Sequence, residues 1–321
     1  MAALSDVIIA TRESCMGIAG PPFVEAATSQ RLTPEELGPA ALHVSTGMVD
    51  VLVEDDRAAV DTARTYLDLV GGTAPAQPPH RDGEALRQVL PESGRSVYDM
   101  RDIIDGLVDE DSLLELRPKW ARNVVTALAR IDGRGVGIVA NQPKVLAGAI
   151  DVNASDKMAR AIRLFDANAL PILFLVDTPG VLIGRPSEEA GIVRHHVRPL
   201  MALAHAEVPI LTLVIRKAYG LGYFMMGTRP FDPLLLAAWP TAEFGGMGLS
   251  GAAAILDSDE SGLRDEIEAE LQSAHSPLAF AAKFSIDDVI DPAASRDLLA
   301  RALHLSPPGA RPEHSRPVDP W

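Results

Sequence analysis

Two apolar runs constrain this chain more than any other feature. Pro171–Val176 (PILFLV) and Pro209–Ile215 (PILTLVI) are continuous rather than alternating, which suits strands buried on both faces. Leu234–Trp239 (LLLAAW) is a third such run, and Glu188–Ala206 between the first two reads as a helix. Strand, helix, strand, helix with apolar strands defines an α/β fold with a largely parallel sheet. Upstream, Val124–Ile131 and Val136–Ala140 flank Asp132-Gly133-Arg134, a hairpin signal. Ser155 is placed to cap a helix whose apolar face is Met158, Ala161, Ile162 and Phe165. Downstream, a helix after Gly248, two charged helices and a Ser285–Ile290 strand or turn are expected.

Composition divides the chain into four parts. Residues 1–71 hold a strand at Asp6–Ala10, a helix start at Thr33-Pro34, a β-prone Val49–Val53 and a helix over Asp55–Val70. That is thin for an independent α/β domain. Residues 72–95, opening on a Gly/Pro-rich stretch, read as a linker, and 96–305 as the main domain. Residues 306–321, with five prolines, form a tail outside any core.

Charge and cysteine content exclude several classes. With 29 Lys plus Arg against 44 Asp plus Glu, the net charge is −15 and no basic block exists for a nucleic acid or an anionic membrane. The single cysteine, Cys15, rules out disulfide frameworks and multi-cysteine metal sites and reads as a buried small residue. No signal peptide opens the chain, and no apolar run approaches the roughly 20 residues that span a bilayer. A reducing cytoplasm is the expected compartment.

The chemistry candidates are turns that follow the apolar strands, where open α/β sheets place ligands. Asp177-Thr178-Pro179-Gly180 is a nucleotide-switch motif in GTPases, but no G-x-x-x-x-G-K-[ST] loop accompanies it. Gly220-Leu221-Gly222 after PILTLVI would leave backbone amides free at a helix start, able to hold an oxyanion; from spacing alone, close helix–strand packing is the favoured explanation of the glycines. Thr241–Gly248 (TAEFGGMG) repeats the strand-turn-helix pattern. The adjacent His195-His196 cannot share a metal on a helix and are expected to cap or lie at the surface. Lys157-Met158 matches half of a biotin-attachment sequence and reads as a helix start; Glu188-Glu189 suits a helix N-terminus.

Taken together, VGIVANQPKVLAGAIDVNASDKMAR (136–160), PILFLVDTPGVLIGR (171–185), VPILTLVIRKAYGLGY (208–223) and AAWPTAEFGGMGLSGAA (237–253) resemble the biotin-dependent acyl-CoA carboxylase carboxyltransferase (β) subunits of acetyl- and propionyl-CoA carboxylase type. ALSDVIIATRESCMGIAGPPFVEAAT (3–28) and TPEELG (33–38) extend the likeness to the N-terminus. The resemblance implies a crotonase-like spiral β/α carboxyltransferase C domain over 96–305, with 1–71 the remnant of an N domain. It implies a transferase step, within a ligase of fatty acid metabolism, that moves a carboxyl group from carboxybiotin to the α-carbon of a short acyl-CoA.

Carried over by position, Leu221 and Gly222 supply the backbone oxyanion hole for the biotin ureido oxygen. Gly180, Gly184, Tyr219, Gly220, Tyr223, Phe224, Gly245 and Gly246 surround the cofactor, and no metal is implied. Phe224 stands where propionyl-type members carry an acidic residue linked to acyl-chain choice. The implied partners are biotin carboxylase and biotin carrier subunits and a homo-oligomer with its active site between subunits. The family's SGGAR-like loop and thioester oxyanion turn precede the position of Ala3, so a complementing N-half chain, a misassigned start or a truncated gene is expected. The alternatives are a non-catalytic or truncated carboxyltransferase-like subunit and, more remotely, a crotonase-fold decarboxylase or hydratase.

Overall fold

A strand buried on both faces needs helices on both sides of its sheet, and the computed structural model is built this way. It describes residues 2–94, 96–248, 273–306 and 318. In chain order the strands are β1 (Ile9–Thr11), β2 (Val51–Val53), β3 (Leu114–Leu116), β4 (Val124–Ile131), β5 (Arg134–Asn141), β6 (Ile172–Thr178), β7 (Ile210–Tyr219), β8 (Leu235–Ala238), β9 (Glu243–Gly245) and β10 (Asp288–Val289). The main sheet runs β10-β8-β7-β6-β5-β4-β3, with β9 continuing the edge of β7 beyond β8. From β5 to β10 the pairing is parallel; β3, β4 and β5 are antiparallel. The β4–β5 turn has positive φ at both Asp132 (51°) and Gly133 (78°), as a two-residue hairpin requires.

All of β6 is buried, and side chains alternate between two cores. Ile172, Phe174 and Val176 join Val214 and the helix Val152–Ala167 through Met158, Ile162 and Phe165. Leu173 and Leu175 join Leu211, Leu213, Ile215 and Trp239 beneath the helices Met100–Leu107 and Ser295–Leu305. Gly137 on β5 lets the first helix come close, since a Cβ there would stand 2.2 Å from the Phe165 ring.

The N-terminal segment has a small core of its own around Ile8, Ala10, Ala40, Val44 and Val49. The helix Asp56–Val70, capped by Asp55, adds Leu69 and Val70 to the main core. Buried charge completes the attachment. Arg117 pairs with Asp50 at 2.7 Å, both almost wholly buried, and its Nε donates to the Gly47 carbonyl. Asp50 also accepts the Ile8 amide at 2.8 Å. Lys157 is fully buried and donates to the carbonyls of Arg117, Trp120 and Val124 at 2.7–3.0 Å. Burial pulls its pKa down to about 7.

Several local expectations change. Asp151, not Ser155, caps the helix: its carboxylate accepts the Ala154 amide, while the Ser155 hydroxyl bonds back to the Asp151 carbonyl inside the first turn. Lys157 therefore lies inside that helix, caged and inaccessible to modification. The helix over 188–206 is two helices, Arg185–Glu189 and Ile192–His205, because Gly191 adopts φ 78° between them. His196 is buried rather than at the surface, and Cys15 is exposed rather than buried. Within 72–94, a short helix Gly83–Leu86 buries Leu86, and Arg87 pairs with Asp291. The helices expected between 249 and 272 lie outside the described residues, as does nearly all of the proline-rich tail.

Replacing Arg117 by Met leaves Asp50 buried without its cation, which costs about 3–5 kcal/mol. Urea unfolding should show this loss, and Asp50→Leu combined with Arg117→Met should recover only part of it, because the Ile8 amide and the Gly47 carbonyl lose their partners.

Candidate active site

At the carboxyl ends of β6 and β7 the ladder breaks. Val176 pairs with Val214, yet the next partners are Thr178 and Ala218, so Ile215, Arg216 and Lys217 face Asp177 alone. Asp177 resolves this bulge. Its carboxylate accepts Arg216 Nε at 3.0 Å and the Lys217 amide at 3.2 Å, and its own amide is held by Asn141 Oδ1. Burial raises the Asp177 pKa, with Arg216 and Lys217 opposing. The Tyr98 ring lies 5.1 Å from the guanidinium carbon of Arg216. An aspartate spent this way holds the strands together rather than a nucleotide.

Beyond Asp177, Gly180 has φ 116°, and its carbonyl receives the Ile150 amide and the Thr178 hydroxyl. The loop then pairs Leu182 with the Ile150 carbonyl and reaches Gly184, φ 107°, which starts the helix Arg185–Glu189. On β7, strand geometry persists to Tyr219, four residues past Ile215, before a five-residue helix Gly220–Phe224 begins. Leu221 and Gly222 occupy its first turn, where amides have no intrahelical acceptor.

The turns named from the sequence meet here. A Cβ on Gly222 would stand 2.6 Å from the Gly180 Cα, and one on Gly220 would stand 2.8 Å from the Gly246 carbonyl oxygen. The glycines therefore serve close approach of backbone to backbone, and they leave first-turn amides available as well. Gly245 lies in β9 rather than in a strand-to-helix turn, because residues 243–245 pair with the end of β7. Tyr223 packs edge-on against Phe244, and Phe224, partly exposed, leans on Phe231. Tyr219 is buried and donates its hydroxyl to Glu243.

Sequence reasoning missed Glu243, Asp177 in its supporting role, and Arg216. Only strand register brings them together. Arg216 and Glu243 also line a cavity of about 310 Å³ with Thr241 and His275. Among the described residues, no group of His, Cys, Asp or Glu could hold a metal ion. Nor is any helix among them long and apolar enough to cross a membrane.

The ends of β6, β7 and β9 thus meet in glycine turns that leave first-turn backbone amides without intrahelical acceptors. The carboxyl transferase domain model matches residues 1–316, and the chain belongs to that family. It is 40% identical over 319 residues to the methylmalonyl-CoA carboxyltransferase 12S subunit of Propionibacterium freudenreichii, covering 94% of this chain and 61% of that protein. It is 37% identical to the carboxyltransferase subunit of propionyl-CoA carboxylase from Haloferax mediterranei, over 94% of this chain and 62% of the relative. The chain spans about three-fifths of the length of these two relatives. The structure of transcarboxylase 12S, a hexamer with hydrolysed methylmalonyl-coenzyme A bound, superposes with a TM-score of 0.86 at 38% identity, covering 98% of this chain and 65% of that one. A single-chain long-chain acyl-CoA carboxylase superposes at 0.85, with 36% identity and with 92% of this chain and 30% of that one covered. The fold is thus the crotonase-like carboxyltransferase fold.

Two outcomes follow from this geometry. Gly222→Ala should destabilise the chain by about 1–3 kcal/mol in urea, as overpacking does, because Gly180 must move. His196, on the helix Ile192–His205, is 4% exposed, with no partner for Nε2, and burial lowers its pKa below the ordinary 6.5 while the Ile150 carbonyl opposes the shift. A depressed folded-state pKa gives stability that is complete above 6.5 and lost as pH falls below it. His196→Gln should flatten that acid limb in melting experiments from pH 7 to 5.

Proposed function

We propose that this chain is the carboxyltransferase component of a biotin-dependent acyl-CoA carboxylase. It transfers a carboxyl group from carboxybiotin, carried on another subunit, to the α-carbon of a short acyl-CoA. The observation that carries this reading is the contact of the Gly220–Gly222 turn with Gly180, which crowds two loops together and leaves the Leu221 and Gly222 amides without intrahelical acceptors.

Those residues fit the ureido carbonyl of biotin: a neutral oxygen that becomes more negative during reaction is matched by amide donors already fixed in place. Carboxybiotin, when bound, supplies the activated carboxyl group. Leu221 and Gly222 would hold its ureido oxygen. Gly220 and Gly222 let the backbone close onto Gly246 and Gly180, Gly180 and Gly184 shape the loop after β6 through positive φ, Gly245 extends β9 beside it, and Tyr223 with Phe224 walls the entrance. Phe224 presents an apolar ring toward solvent, which favours an alkyl chain over a polar group.

The working unit includes biotin carboxylase and biotin carrier subunits, and either further copies of this chain or a complementing N-half chain. The likeness to a hexameric transcarboxylase supports an oligomer. Residues 1–71 are read as part of the family's N domain, 72–95 as the connection, and 96–305 as the C domain. The lone cysteine supports a reducing, cytoplasmic setting.

The test is transfer from a malonyl- or methylmalonyl-type thioester to free biotin by the natively purified chain with everything that co-purifies. Transfer supports the enzyme reading; none, from a folded and complete assembly, replaces it with a non-catalytic subunit. Leu221→Pro removes one amide from the first helical turn and should lower kcat by about 10²–10³, with circular dichroism checking that the loss is not unfolding.

A further inference from the structure

Tyr219 hands β7 over to the Gly220–Phe224 helix with extended backbone (φ −113°, ψ 135°), and no side chain caps that helix. The orientation of its first-turn amides therefore depends on what holds Tyr219. The ring is 5% exposed, and the hydroxyl donates to Glu243 Oε2 at 2.5 Å. Glu243 opens β9 opposite Lys217, so Tyr219, two residues further along β7, reaches it as a diagonal neighbour across the strand pair.

Three observations separate this contact from ordinary packing. Among the described residues no ion pair engages Glu243, and the phenol is its hydrogen-bond partner. A carboxylate accepts only, and burial together with Glu243 pushes the Tyr219 phenol well above its ordinary pKa, so the proton stays on tyrosine and the bond has one polarity. The residue just past that strand, Gly246, then sets its carbonyl against Gly220, pressing the turn at a second point.

We infer that Glu243 is a positioning residue: through the Tyr219 hydroxyl it holds the first turn of Gly220–Phe224, and with it the Leu221 and Gly222 amides, in the orientation that receives the biotin carbonyl. This rests on the carboxyltransferase reading above. It assigns a role to a carboxylate that touches neither the amide pair nor the turn's own backbone.

The experiment compares wild type, Glu243→Gln, Glu243→Ala and Tyr219→Phe in the full chain with its co-purifying partners. The first readout is amide hydrogen exchange at Met225 and Met226, whose N–H groups bond to the carbonyls of Leu221 and Tyr223 and so report on the turn. Glu243→Ala and Tyr219→Phe should speed exchange there by about tenfold, the effect of losing one hydrogen bond to a charged group, and leave Val124–Ile131 unchanged. Glu243→Gln, which still offers a carbonyl acceptor, should behave as wild type. The second readout is the transfer assay: kcat/KM for free biotin should fall about tenfold in the same two variants while KM for the thioester stays constant.

Equal exchange in all four proteins would overturn the inference, as would a uniform rise across the whole sheet or a failure of Glu243→Gln to rescue. A wild type that transfers no carboxyl group defeats the functional reading instead, and the exchange data still decide whether Glu243 orders the turn.

Discussion

Burial of β6 and β7 on both faces is the constraint from which the rest follows. With helices covering each side, side chains from the strand interiors have no route to a ligand. The sheet can offer chemistry only where these strands end, and there the available groups are mostly backbone. Glycine is the residue that lets such ends approach one another. Gly180 and Gly222 meet without room for a Cβ, and Gly220 abuts Gly246, so the loops leaving β6, β7 and β9 share one small volume.

Loops held only by backbone proximity would be soft, and buried charge stiffens them. Asp177 fills the bulge between β6 and β7 by satisfying Arg216 and the Lys217 amide at once. Elsewhere the same device fastens larger pieces. Arg117 with Asp50 joins the N-terminal segment to the sheet, and Lys157 gathers carbonyls from the loop between β3 and β4 and from the first residue of β4. Each of these groups has been taken out of water. A buried pair of this kind adds little over an apolar replacement, yet losing one member is costly, so its main effect is to specify geometry. That would suit the proposed carboxyltransferase site, whose work would be holding two reactants in place.

Much of the fold was legible because its signals are local. Continuous apolar runs marked β6, β7 and β8, and Asp132-Gly133 marked the β4–β5 hairpin. Thr33 and Asp55 marked helix starts that do form, the first with a full capping box to Glu36. The errors also have local causes. Asp151 outcompeted Ser155 as a cap because its carboxylate reaches the Ala154 amide from the residue just before the helix. Gly191 split a helix whose periodicity runs through the break. Cys15 lies in a segment with a core too small to cover it, so a residue type that is usually buried stands exposed.

The site divides along the same line. By itself the sequence determined that glycine turns follow buried strands and which family's motifs they match, since these depend on residue order alone. Tertiary structure alone decided that Gly180 presses on Gly222, that Asp177 bridges a strand bulge to Arg216, and that Glu243 holds Tyr219. Those contacts join residues 24 to 42 positions apart, and they exist because parallel register and a shifted ladder place particular side chains opposite one another. Register is set by the packing of the whole sheet, and no short stretch of sequence encodes it.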